Sequence, residues 1–198
     1  MGQRAFVLGM WLVALPAVAS GVVNVLGPLR LHRLGAGTAA IGATYLVAAA
    51  AEAAISPSIG KLSDRRGRLL PVRFGLAGAT VTIACFTLPA SPAPLAVLLV
   101  AIATTLGAFW GPAMAMLSDV ADRMRLDQAL AAALMNLAWA AGQIVGAGGG
   151  GAVAKATGDA VPTLVVAGSC AATLVLLVGS RRAVRLTAVA RGAHSHGR

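Results

Sequence analysis

The sequence predicts an all-α membrane protein, a six-transmembrane-helix bundle, and three observations predict it. Of the 198 residues, 58% are hydrophobic before the 24 glycines are counted, whereas a soluble domain reaches about 45–50% with glycine included. Charged residues make up only 11%, against about 25% in a soluble domain. The apolar residues gather into six runs, each near the roughly 20 residues that cross a bilayer. So few charges cannot screen that much apolar side chain from water. The composition argues against a soluble enzyme, a nucleic-acid-binding domain and a disordered chain, and makes the lipid bilayer the first partner.

The runs justify themselves in order. The first, about 5–27, follows Arg4 and ends before Pro28 and the bases Arg30 and Arg33. A secretory leader cut after Ala17-Val18-Ala19 is the alternative for this run, but the apolar stretch continues well past that point. The second, about 37–60, is rich in alanine and ends at Lys61; the third, about 69–90, starts after Arg68 and ends among Pro89, Ser91 and Pro92. The fourth, about 94–117, stops before Ser118-Asp119, and the fifth, about 129–153, carries a glycine-rich stretch. The sixth, about 161–179, leads into a basic tail over 181–198, expected to be disordered and cytoplasmic, so that 1–180 form one transmembrane domain. Barrel strands would alternate over about ten residues; these runs are longer and do not alternate, and a helix satisfies its own backbone in lipid.

The bases set the orientation. Arg4, Lys61, Arg65, Arg66, Arg68, Arg73, Arg123, Arg125 and the five tail arginines fall on one side, while only Arg30, Arg33 and Lys155 fall on the other. The positive-inside rule then places both termini in the cytoplasm of a multi-pass cell-membrane protein. The net charge of +10 is thereby a topology signal with no nucleic acid implied. Cys85 and Cys170 lie inside apolar runs and His194 and His196 in the tail, so the sequence suggests no disulfide framework, metal site or cofactor.

Between the second and third runs stands Gly60-Lys61-Leu62-Ser63-Asp64-Arg65-Arg66-Gly67-Arg68. Gly60 and Gly67 allow tight turns between antiparallel helices, and Asp64 is a lone acid among bases that can accept charge-assisted hydrogen bonds, Arg123 and Arg125 being possible partners. The segment resembles the signature loop of the major facilitator superfamily, G-x-L-(S/A)-D-R-x-G-R, with Gly60, Leu62, Ser63, Asp64, Arg65, Gly67 and Arg68 on the pattern; Leu69 stands where the family often has another base. The resemblance implies half of a major-facilitator fold, since members commonly pair two six-helix halves. The glycine-rich fifth run and the basic tail resemble the C-terminal half, although the Gly-Pro pair typical of antiporter fifth helices is absent. It further implies a loop that latches neighbouring helices and is released as the transporter rocks; the alternative is a plain topology loop.

The membrane-embedded polar groups are the other candidates. Glu52 is the only acid inside an apolar run; an ionised acid there is costly, so it is neutral, paired or facing water. Thr44, Ala48, Glu52 and Ser56 recur at i+4 along one face. That stripe either lines a transport cavity, with Glu52 binding a cation or proton, or serves structure through a protonated acid. Asn24 neighbours Ser20 in the first run, and Asn136 and Gln143 lie in the fifth; each is either a substrate contact or interhelical glue. Gly146, Gly148 and Gly151 fit G-x-G-x-x-G, but no strand precedes them. Gly142, Gly146 and Gly150 instead make small-xxx-small steps for close helix packing.

The function implied is secondary active transport of a small solute by alternating access, with export of a drug or metabolite as the leading case. Without a nucleotide-binding motif, coupling falls to an ion gradient, with protons as the expected ion. A partner half or a homodimer would complete the path. The alternatives are a truncated half inactive without its partner and, more remotely, an intramembrane enzyme. The last lacks an embedded histidine or a pair of embedded acids, so the chain is not expected to be an enzyme.

Overall fold

The computed structural model describes the backbone of residues 2–195 and the side chains of 6–179. Every regular element within it is helical: α1 (Gly2–Arg33), α2 (Thr38–Arg66), α3 (Leu69–Ala84), α4 (Pro92–Arg123), α5 (Gln128–Ile144), a π-helical turn (Val145–Gly149), α6 (Gly150–Thr157) and α7 (Ala160–Ser195). With α5, the π turn and α6 taken as one span, five spans are long and apolar enough to cross a membrane; α3 is a shorter apolar helix.

The helices overrun the apolar segments. Pro28, Arg30 and Arg33 belong to α1 and not to a linker, and Gly60 to Arg66 complete α2. Helix α4 continues through Ser118 and Asp119 to Arg123, and α6 reaches Thr157. Hydrophobicity ends where the hydrocarbon ends, but the helices run on until a residue with positive φ turns the chain: Gly35 after α1, Gly67 after α2, Arg125 after α4 and Gly158 after α6. The third span deviates the other way. It ends at Ala84, short of the expected 90, because the chain tightens into i→i+3 bonds from Phe86 to Ile83 and from Leu88 to Cys85 ahead of Pro89, which disfavours helix at the preceding residue. The fifth span, expected continuous over 129–153, is interrupted by the π turn over Val145–Gly149. The glycines of that stretch bring no side chains to stabilise the tighter α register. Helix α7 runs on through Ser195, into the segment expected as a disordered tail; the side chains of that segment, with His194 and the tail arginines, lie outside those described, as does His196.

The core that holds the bundle joins α1, α3, α4 and α7. Leu12, Leu15 and Leu26 pack with Leu76, Ile83 and Phe86, with Leu95, Ile102 and Phe109, and with Val166 and Cys170. Outward faces carry Leu46, Phe74, Val97, Ile144 and Val175 exposed, as a lipid solvent permits. Helix α2 packs chiefly on α4 and buries only Thr44, Ala48 and Ser63.

Ion pairs mark both ends. At one, Arg30 and Arg33 near the end of α1 reach Asp159 before α7, at 3.7 Å and 2.5 Å. Arg30 Nη2 also donates to the Thr87 and Pro89 carbonyls at 2.6 Å and 3.2 Å, beyond the end of α3, and the guanidinium lies 5.9 Å from the Phe86 ring centre. At the other end, Arg68 pairs with Asp119 of α4 at 2.9 Å. Asp127 caps α5, its Oδ1 accepting from the Ala129 and Leu130 amides at 2.9 Å and 3.1 Å, and Arg125 takes the left-handed conformation at φ 53° in the turn before it. If the base-rich end is cytoplasmic, single cysteines at Ser91 and Thr157 label from outside intact cells, and those at Arg66 and Arg125 only after permeabilisation. External labelling at Arg66 would invert the topology.

Candidate functional site

Helices α1, α2, α4 and α5 surround a cavity of about 490 Å³. Helix α1 contributes Pro16, Ser20, Val23 and Asn24; α2 contributes Thr44, Tyr45, Ala48, Ala49 and Glu52. Helix α4 lines it from Leu99 to Met114, including Gly107 and Trp110, and α5 adds Met135, Asn136, Trp139 and Gln143. Neither α3 nor α7 lines it. Asn24, Ala49 and Asn136 are exposed, so the cavity is walled on one side and open at its rim.

Glu52 stands against α4. A Cβ on Gly107 would lie 2.5 Å from Glu52 Oε1 and 2.6 Å from its Cγ, so the glycine makes the room that the carboxyl occupies. Among the described residues Glu52 has no ion pair and no hydrogen bond. Thr44 spends its hydroxyl on the Ala40 carbonyl at 2.8 Å, the local back-bond that lets a threonine sit inside a helix. Tyr45 Oη donates to the Val23 carbonyl at 3.4 Å, bridging α2 to α1. Trp110 and Trp139 meet across α4 and α5 with ring centres 5.1 Å apart and planes tilted by 52°. The Trp110 Nε1–H is buried without a hydrogen-bond partner.

Five of the six polar residues singled out from the sequence therefore share one cavity: Asn24, Thr44, Glu52, Asn136 and Gln143. Ser56 does not. It is exposed and outside the lining, because each i+4 step overshoots a full turn by about 40°, and three such steps carry Ser56 off the face that Thr44 began.

The base-rich end is simpler than the sequence suggests. Gly60 lies within α2 with open space around it and makes no turn; the turn is Gly67 alone, at φ +84°, where a side chain would be strained. Leu62 is half-buried, Ser63 is buried, and Asp64, Arg65 and Arg66 are exposed on the last turns of α2. Among the described residues neither Arg123 nor Arg125 pairs with Asp64; the pair joining this segment to α4 is Arg68 with Asp119.

The family model described as Major Facilitator Superfamily matches residues 5–194, nearly the whole chain. The chain belongs to the major facilitator superfamily. Neither a curated protein nor a solved structure matches it. Superfamily membership makes it a membrane transport protein of multiple spans, and its six apolar helical segments fit a half bundle of that fold.

In this superfamily bundle the fifth span crosses the first at its glycines. A Cβ on Gly142 would lie 2.7 Å from Ala17 Cβ and 2.8 Å from the Ala14 carbonyl oxygen; on Gly150 it would lie 2.7 Å from Val22 Cγ2. On Gly146 it would run into the Val18 carbonyl oxygen itself, and Gly21 of α1 offers the reciprocal gap to the Gln143 carbonyl at 2.7 Å. This contact sets Gln143 against Gly21 and brings α5 to the cavity that Ser20 and Asn24 of α1 also line. Sequence reasoning passed over Tyr45, Trp110 and Trp139, for which the one available signal was aromatic residues well inside a span, where interfacial anchoring does not account for them. It also passed over Asp159, an acid placed close before a span whose partners lie over a hundred residues away.

Proposed function

We propose that this chain is the C-terminal six-helix half of a secondary transporter that moves a small solute by alternating access, driven by an ion gradient. It works in the cell membrane with both termini cytoplasmic. The observation that carries this is the unpaired carboxyl of Glu52 inside a cavity walled by four helices. A carboxyl in that position is held at a cost that lipid-facing structure alone does not repay, and it can take up and release a proton as the cavity changes sides. The open rim at Asn24, Ala49 and Asn136 calls for a second wall, supplied by a partner half or by a second copy of the chain.

Glu52→Gln tests the coupling role, because Gln keeps the shape and hydrogen bonding but cannot titrate. In vesicles containing the chain and its second half, with an imposed pH gradient, the variant should insert normally and, at saturating solute, still bind it. Its gradient-driven accumulation should fall at least about tenfold, the scale of losing a positioned proton-transfer group. Accumulation at the parent rate would remove Glu52 from the coupling mechanism.

A further inference from the structure

We infer that the cavity takes an amphipathic organic cation: a molecule with aromatic or aliphatic bulk and a single delocalised or quaternary positive charge. This rests on the cavity being the transport site and names what it holds.

Charge comes first. The lining contains no Lys, Arg or His, and its one ionisable acid, Glu52, has no counter-ion among the described residues. An anionic solute would meet a carboxyl and find no base. A cation supplies the missing partner, in surroundings where low dielectric strengthens the attraction. The aromatic groups select the same class. Trp110 and Trp139 form a tilted pair in the wall, and Tyr45 stands one residue from Thr44 on the α2 side. The faces of such rings attract cations within about 6 Å, tryptophan most strongly.

Size and polarity narrow the class further. About 490 Å³ falls within the roughly 300–1,000 Å³ of sites for drug-sized ligands. A bare metal ion is disfavoured, since hard cations gather about six or more oxygen ligands and Glu52 is the only carboxylate here. A sugar would need polar groups on every side, whereas most of the lining is apolar, including Leu99, Met114 and Met135. Thioethers there adapt to varied apolar shapes.

The test uses two probes of nearly equal size and opposite charge, tetraphenylphosphonium and tetraphenylborate. The full chain carrying Trp11→Phe, which leaves Trp110 and Trp139 as its tryptophans, is placed in zwitterionic lipid nanodiscs, and empty nanodiscs are subtracted for lipid partitioning. Tetraphenylphosphonium should change the tryptophan fluorescence saturably, and tetraphenylborate should not. Glu52→Gln should weaken the cation about tenfold or more, on the scale of a desolvated charge pair. Glu52→Asp should keep it within about threefold, on the same affinity scale, which separates loss of charge from loss of fold. Trp139→Leu should weaken the cation as well. Equal binding of both probes, or unchanged cation affinity in Glu52→Gln, overturns the inference. Saturable binding of an uncharged or anionic solute in the cavity, without the phosphonium, overturns the cation class and leaves the transport function standing. A folded chain that binds no class of solute overturns the inference, whereas the transport function falls only if the chain with its second half also moves none.

Discussion

Gly146→Val should prevent tight assembly of the bundle. The substituted side chain would meet the Val18 carbonyl oxygen of α1, a backbone atom that cannot rotate aside, so the two helices must separate. Overpacking costs typically about 1–3 kcal/mol, and a backbone clash belongs at the upper end. That corresponds to a fall of roughly 6–12 °C in apparent Tm for a chain of this size. Gly148→Ala provides the control two residues away, where a Cβ meets nothing within 4 Å; it should move Tm by only a few degrees, on the scale of about 1 kcal/mol for helix propensity. Thermal unfolding in detergent, followed by fluorescence-detected size exclusion, reads both. Equal Tm values for the two variants would mean that the first and fifth spans do not pack as described.

Asp159→Ala should be the second costly change. Its side chain is 7% exposed, and it serves two arginines of very different burial: Arg30 at 19% and Arg33 at 58%. The shorter contact is to Arg33, but burial decides the energy. An exposed partner returns to water when the acid is removed, whereas Arg30 keeps its contacts with Phe86 and two carbonyls and loses its counter-charge. Removing one member of a buried pair costs about 3–5 kcal/mol, and an exposed pair is worth about 0–1 kcal/mol. We expect about 3 kcal/mol for Asp159→Ala and under about 1 kcal/mol for Arg33→Gln, both by thermal unfolding. A loss for Asp159→Ala no larger than that for Arg33→Gln would make this cluster an ordinary surface pair.

The spans and the polar cavity residues were legible in the sequence for one physical reason. A polar group inside an apolar run has to be accounted for, so Asn24, Thr44, Glu52, Asn136 and Gln143 stand out against alanine and leucine. Rotation of each helix about its axis was not legible. Lipid is as apolar as a protein core, so Leu46, which faces outward, and Leu99, which lines the cavity, are written alike. Trp110 and Trp139 were missed on the same account. Ser56 shows the limit of a periodic stripe, and Asp159 the limit of local reading, because its partners are distant in the chain. Helix ends were misplaced because charge marks the edge of the hydrocarbon and Gly67, Pro89 or Gly158 marks the end of the helix.

The placement of α3 and α7 away from the cavity bears on how such a chain can change over generations. The side chains that α3 and α7 add to the core, Leu76, Ile83, Phe86, Val166 and Cys170 among them, are not the ones a solute would touch. At Ala49 or Asn136, both exposed and neither of them in that core, replacement leaves the fastening contacts intact, and changes away from packed or paired groups usually cost within about 0.5 kcal/mol. Selectivity can therefore drift while folding is preserved. Random mutagenesis with selection for a new solute should enrich changes on α2 and α5 and leave α3 and α7 almost untouched.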